Sequence, residues 1–298
     1  MPPTKSVVIT GASSGLGLHV AVELARADWH VVLGCRAPER GAAAAALIRE
    51  RSPAASLEVL EMDLASLDSV RAAASALATG GRPPLHALVS NAGVQVANGV
   101  RRSADGHELT FATNHLGHFL LIRLLLDHVA EPGRVVLVSS GTHMGPRHSF
   151  GFPAPVWADP ALLADPDHSP MDATGRGGRQ RYATSKLANL YTTYELARRL
   201  GERRITANAF DPGLMPLTGL SRDYPTRIRR VYEALGAFSP LILTFPGSRR
   251  RPRPRKGQDQ RGGHHGGGSA SGLRNRKADD PVGSVLTAHG VVRLMWQV

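Results

Sequence analysis

The sequence holds one cysteine, Cys35, in 298 residues. A single thiol cannot close an intramolecular disulfide framework. No apolar run reaches about 18 residues, the length a membrane-spanning helix needs, and the opening MPPTKSVVIT lacks the basic region and apolar core of a signal peptide. The expectation is a soluble protein of the reducing cytoplasm, with no membrane span. Acidic residues are also in the minority, 24 against 36 Lys and Arg, for a net charge of +12. That surplus is local: residues 245–298 hold 11 Lys and Arg against 3 Asp and Glu, which leaves only +4 for residues 1–244. The body of the chain is therefore a mildly basic globule. The run RRRPRPRK (249–256) has no aromatic platform interleaved with it, which argues against nucleic acid as a partner.

What is present is a rhythm of short apolar runs and longer amphipathic ones. SVVIT (6–10), a helical pattern over 16–27, HVVLG (30–34), an alanine-rich helix near 39–50 and LEVLEM (57–62) spell βαβαβ. A helix near 67–78, HALVS (86–90), a long helix ending near Val129, RVVLVS (134–139), a helix over 181–200 and ITANAF (205–210) continue it. Strands this uniformly apolar suit a parallel sheet buried on both faces, a doubly wound α/β fold of Rossmann type in a single domain over 1–245. Residues 141–180, rich in Pro, His, Asp and Gly, far exceed the usual loop between a strand and a helix and are read as a substrate-binding insert. After Pro246 the pattern stops, and the basic segment 246–298 is expected to be poorly structured.

Two features point to a dinucleotide. VVITGASSGLG places Gly11, Gly15 and Gly17, with Ser13, Ser14 and Leu16 between them, directly after a predicted strand and before a predicted helix. Glycines permit the tight turn, and the N–H groups and positive end of the following helix stabilise a pyrophosphate. The second strand ends at LGCR with Arg36 where a ribose-binding carboxylate would otherwise stand. A guanidinium suits a 2′-phosphate and a carboxylate would repel one, so NADP(H) is expected over NAD(H). An exposed loop arginine is the alternative, because Ser13 and Ser14 supply no second cation. Asp63, after the third strand, either accepts from an adenine amino group or caps the next helix.

With TGASSGLG, NAG (91–93), NHLGHF (114–119), VSS (138–140), YATSK (182–186) and DPG (211–213) in this order, the sequence resembles the short-chain dehydrogenase/reductase family over residues 5 to about 220. Within it, GCR, TNHLGHFLL, the long insert and PGLMPLTGL resemble the branch of retinol dehydrogenases and protochlorophyllide reductases, and SSGTH is similar to actinobacterial ketoreductases. The resemblance implies a catalytic set of Asn114, Ser140, Tyr182 and Lys186. Tyr182 and Lys186 lie at i and i+4 on one helix face. An ammonium beside a phenol favours the phenolate and lowers a value that normally lies near 10, so Tyr182 would pass a proton to a carbonyl oxygen. Ser140 would hydrogen-bond the same oxygen. Ser139 competes for that role, and register with the family pattern favours Ser140. Asn114 would support a proton relay through Lys186 by way of water, and Lys186 would hold the nicotinamide ribose.

The same resemblance places Leu64 beside Asp63 at the adenine, lines the cofactor cleft with Asn91, Ala92 and Gly93, and sets Pro212, Gly213 and Thr218 at the nicotinamide carboxamide. His115, His118 and His143 read as packing or surface residues. Protochlorophyllide photoreductases carry a cysteine just after the sixth strand's Pro-Gly; Leu214 stands here, which speaks against light-driven chemistry. The family's last strand is not recognisable after Pro246, where the composition resembles a GC-rich gene read in a shifted frame. The resulting expectation is an NADPH-dependent reductase of hydrophobic ketones or aldehydes, or a dehydrogenase of secondary alcohols. It needs no metal, and a homo-oligomer is among the assemblies the resemblance allows. A sensor that binds NADP without turnover is the rival, and the intact Ser140, Tyr182 and Lys186 argue against it.

Overall fold

The structure, a computed structural model, describes residues 3–147, 149 and 151–213. Thr218, Leu214, the segment 246–298 and the stretch of the 1–245 domain from 214 onward lie outside the described residues. Six strands form one sheet: β1 (Ser6–Thr10), β2 (His30–Cys35), β3 (Leu57–Glu61), β4 (Leu85–Ser90), β5 (Val129–Val138) and β6 (Ile205–Phe210). They run in the order β3-β2-β1-β4-β5-β6 with every neighbour parallel. This is the doubly wound arrangement expected from the apolar runs.

Alternation along each strand divides the core. Val7, Ile9, Val31, Leu33, Val136 and Val138 pack on one face with α1 (Gly15–Arg26) and α2 (Pro38–Arg51). Val8, Val32, Val135 and Leu137 pack on the other with α3 (Leu67–Thr79) and α5 (Gly117–Leu125). Each such side chain removed from water contributes about 1.5 to 3 kcal/mol, so both helical layers are needed to keep the sheet dry. The order of strands reverses between β1 and β4, and ligands of open α/β sheets bind at the carboxyl ends of strands at such a switch point.

Several boundaries differ from the expected ones. The long helix ending near Val129 is four pieces in line: α4 (Leu109–Phe111), a π-helical turn (Ala112–Leu116), α5 and a 3₁₀ turn (Leu126–His128). The stretch Leu109–His128 is also long and apolar enough, at mean hydropathy 1.2, to cross a membrane by length and composition alone, which corrects the expectation that no run is. More than half of that window is buried in this fold, against α3 and α7 (Gly175–Arg199) among others, as in a core helix of an α/β layer.

The helix expected from 181 begins six residues earlier, within the predicted insert. GRGGRQ shows no apolar period and three glycines, which are poor helix formers, so it reads as loop. Packing overrides propensity there: a Cβ on Gly178 would lie 2.4 Å from the Val96 carbonyl oxygen, and Thr174 Oγ1 caps the turn by accepting from Gly177 N at 3.3 Å. The rest of the insert holds a 3₁₀ turn (Gly141–Met144) and the short α6 (Pro160–Ala164), capped by Asp159. Strand β5 starts at Val129 rather than 134, its register slipping between Leu85–Val129 and Ala87–Arg134.

Candidate active site

The glycine loop leaves β1 at Thr10 and turns through Gly11, at φ +65°, and Gly15, at φ +56°, both in the left-handed region that favours glycine. A Cβ on Gly11 would lie 2.9 Å from Ala92 Cα, and one on Gly17 would lie 2.6 Å from the Gly11 carbonyl oxygen. The loop therefore packs backbone to backbone against the residues after β4. Helix α1 starts with no side-chain cap and no acidic residue in its first turn, so its positive end is not neutralised locally. Leu16 points into the core while Ser14 and Gly15 are exposed.

Arg36 stands exposed just past β2. Next to it the Cys35 thiol is buried, which pushes its pKa up, against opposing hydrogen bonds from Ser13 and Ala12 and the charge of Arg40. Arg40 of α2, four residues after Arg36, is thus a second cation whose charge reaches the end of β2. Asp63 Oδ1 accepts from Ala65 N at 3.0 Å, and Ser66, not Asp63, caps α3 by accepting from Ser69 N at 3.3 Å. The capping alternative for Asp63 is thereby corrected. Leu64 is buried in the core, its carbonyl oxygen 2.4 Å from where a Cβ on Gly117 would sit.

Helix α7 is pinned to the tip of β5. Lys186 Nζ donates to the Val138 carbonyl at 2.9 Å, Asn189 Nδ2 to the same oxygen at 3.3 Å, and Ser139 Oγ to the Lys186 carbonyl at 2.9 Å. Ser139 is thus a buried structural bond, while Ser140 is half-buried at the start of the 3₁₀ turn that packs on α7, accepting from Thr142 N at 3.4 Å. Lys186 is 3% exposed, and its Nζ lies 5.5 Å from the centroid of the Tyr182 ring. Burial lowers its pKa to about 8, and Asp211, just past β6, counteracts part of that with its charge. Pro212 and Gly213 follow Asp211, whose Oδ1 accepts from Gly213 N at 2.9 Å.

Asn114 sits in the π turn, fully buried, with both ends of its amide engaged. Oδ1 accepts from Val94 N at 2.7 Å; Nδ2 donates to Val94 O and Ser185 Oγ, each at 3.0 Å. A Cβ on Gly93 would meet Asn114 Oδ1 at 3.3 Å and Lys186 Nζ at 3.7 Å, so the segment after β4 is held between these two groups. Asn91 Nδ2 donates to the Thr10 carbonyl at 2.8 Å and ties that segment to the glycine loop. From the insert, Phe152 brings its ring centroid 6.2 Å from that of Tyr182, Val156 N donates to Thr184 Oγ1 at 3.0 Å, and Leu163 and Met171 pack beside Ala188.

The structure thus gathers Asn114, Ser140, Tyr182 and Lys186 with Asn91, Ala92 and Gly93 at the carboxyl ends of β1, β4 and β5. Sequence reasoning did not single out Thr10, Arg40 or Asp211, and its reading of His118 as a packing or surface residue agrees with the full burial seen here. Arg40 had a signal, its spacing of four from Arg36; Thr10 had only its place inside a motif. Among the described residues no three His, Cys, Asp or Glu side chains form a group able to hold a metal ion.

Residues 5–152 match the family model described as short chain dehydrogenase. The chain is 39% identical over 222 residues to the WW domain-containing oxidoreductase of Danio rerio, covering 74% of this chain and 51% of that protein. It is 37% identical over 223 residues to retinol dehydrogenase 12 of Mus musculus, covering 74% and 64%. The chain spans about half to two thirds of the length of the curated relatives it matches. A crystal structure of an uncharacterized protein from Mycobacterium paratuberculosis is 36% identical, with a TM-score of 0.58 over 78% of this chain and 76% of that one. The motifs, the strand order and these likenesses agree, and the chain belongs to the short-chain dehydrogenase/reductase family, in the branch of the retinol dehydrogenases and protochlorophyllide reductases.

Proposed function

We propose that the protein is an NADPH-dependent oxidoreductase that reduces a hydrophobic ketone or aldehyde, or runs the reverse reaction on a secondary alcohol. The observation that carries this reading is the buried Lys186 ammonium beside the Tyr182 ring, on a helix docked beside Ser140. A dinucleotide fits the residues present: the close packing of Gly11 and Gly17 leaves a backbone cradle that side chains would fill, and the uncapped α1 terminus favours a pyrophosphate. Arg36, with Arg40 nearby, supports the 2′-phosphate of NADP over the free hydroxyl of NAD.

A nicotinamide cofactor bound there would supply the hydride. Tyr182 gives the substrate oxygen its proton, and Ser140 donates a hydrogen bond to the same oxygen as negative charge develops on it. Lys186 keeps a cation beside Tyr182 and would hold the nicotinamide ribose. Asn114 fixes the segment from Asn91 to Val94 against α7 and supports proton return to Lys186. Asp63 and Leu64 would face the adenine, and Pro212, Gly213 and Thr218 the carboxamide. The Phe152 ring, 6.2 Å from that of Tyr182, supports an apolar substrate, as do relatives named retinol dehydrogenase and protochlorophyllide reductase. The free, buried Cys35 is in keeping with a reducing cytoplasm. Measuring NADPH consumption against a panel of apolar and polar ketones and aldehydes tests the reading; no turnover with any of them, alongside tight NADPH binding, would favour the sensor instead.

A further inference from the structure

His118 is the one fully buried histidine among the described residues. Its Nδ1 lies 3.0 Å from the Asn114 carbonyl oxygen and its Nε2 lies 2.8 Å from Thr10 Oγ1. The proton positions follow from chemistry. A carbonyl oxygen only accepts, so Nδ1 carries the hydrogen and Nε2 presents a lone pair. Thr10 Oγ1 already accepts from Asn91 N at 2.9 Å and Ala92 N at 3.0 Å, so its own proton goes to Nε2 rather than to the Val89 carbonyl at 3.4 Å. The chain of bonds runs one way: Thr10 hydroxyl to His118, His118 to Asn114.

We infer that His118 is a positioning residue, whose Nδ1–H holds the Asn114 carbonyl and so sets the π turn, the Val94 segment and Lys186 relative to the glycine loop. The inference rests on the reductase reading of the site. Only one further donor among the described residues, Asn189 Nδ2 at 3.1 Å, shares that carbonyl by its side chain. Asn114 in turn holds both backbone groups of Val94 and the hydroxyl of Ser185, the neighbour of Lys186. A tilt of the turn therefore moves the residues on either side of the proton path, and a displacement approaching 1 Å costs on the order of a hundredfold in rate. Burial, with the charge of Lys186 adding to it, lowers the His118 pKa to about 4, so the ring stays a neutral, one-directional link across the neutral range.

Two substitutions separate the ends of the ring. His118→Asn can place an amide N–H where Nδ1–H stands and loses Thr10; His118→Gln reaches toward Thr10 and loses the bond to Asn114. Turnover and KM for NADPH are measured for both, with wild type and Tyr182→Phe alongside, and urea unfolding reports stability. The expected result is a kcat at least tenfold lower in His118→Gln than in His118→Asn, with KM for NADPH changed less than threefold. Equal losses of kcat in the two variants, or losses that simply follow their stabilities, would overturn the inference. Nitrogen-15 NMR of the wild type gives a readout free of turnover: the Nδ1–H tautomer, unprotonated at pH 5.5, is expected, and an Nε2–H tautomer or a protonated ring would overturn it. If wild type turned over no carbonyl substrate the reductase reading would fail, and the tautomer would still decide the bond on which the inference stands.

Discussion

Replacing Lys186 by methionine should make the protein more stable while removing its activity. Its ammonium is desolvated in the fold, and a pKa lowered from 10.5 to about 8 corresponds to roughly 3 kcal/mol against the charged form at neutral pH. Methionine fills a similar volume without that cost. It forfeits the hydrogen bond to the Val138 carbonyl, about 1 kcal/mol, and the contact with the Tyr182 ring, about 0.5 kcal/mol. Asn189 still donates to that carbonyl, so the oxygen is not left bare. The net expectation for Lys186→Met is a gain of about 1 to 2 kcal/mol at pH 7. The sign with pH is fixed by linkage. Below pH 8 both folded and unfolded states bind the proton and the full penalty applies; between 8 and 10.5 the folded state releases it first, wild type gains stability, and the advantage of methionine shrinks. Urea unfolding of both proteins at pH 7 and pH 9 measures this, with NADPH consumption read alongside. A variant less stable than wild type at pH 7, or an advantage that grows toward pH 9, would refute the reasoning.

Three other substitutions probe separate parts of the site. Arg36→Glu should erase a preference for NADPH over NADH of tenfold or more, about 1.4 kcal/mol, in fluorescence titrations of the two cofactors; an unchanged ratio would leave Arg40 as the discriminating cation. Tyr182→Phe should keep NADPH affinity within a few-fold and lose on the order of a hundredfold in kcat, and near-normal turnover would mean that the proton comes from another group. Glu108→Gln should cost about 3 kcal/mol in urea unfolding, because its fully buried carboxylate, 3.4 Å from the buried Arg181 guanidinium, is the stronger of two negative charges acting on it and only Asp172 would remain. A loss below about 1 kcal/mol would show that the pair holds little.

The sheet was legible because the residues that build it obey one period at a time. Five consecutive buried residues in β1 and strict alternation between the two faces leave few other ways to bury so much aliphatic surface. The start of α7 was not legible for the opposite reason. Its glycines are there so that the helix can approach the backbone at Val96, Ala97 and Asp172, and close approach has no periodic signature. Arg181 adds to this: a charged side chain in a helical pattern reads as surface, yet it is 1% exposed and donates to the carbonyls of Gly99 and Asp172. The π turn was hidden too, since one extra residue per turn over five residues barely shifts an apolar stripe.

In the site, the residue types were readable and their division of labour was not. Ser139 and Ser140 differ by one position, and side chains near a strand's end point in opposite directions. One therefore bonds the Lys186 carbonyl inside the fold and the other, half-buried, accepts from Thr142 N at the start of the 3₁₀ turn, a distinction that only register with a family pattern could supply. Asn114 shows the same gap from the other side. Its place in NHLGHF marks it as a candidate, but its whole amide is spent on Val94 and Ser185, so the role proposed for it would pass through what it positions. The physical reason is directional bonding: a buried amide or imidazole must satisfy every donor and acceptor it has, and those partners come from strands and helices distant in sequence. Thr10 and His118 lie 108 residues apart and are joined by one hydrogen bond. Spacing along the chain carries no trace of that bond, whereas the pair Tyr182 and Lys186, one turn apart on a single helix, could be read before any fold was known.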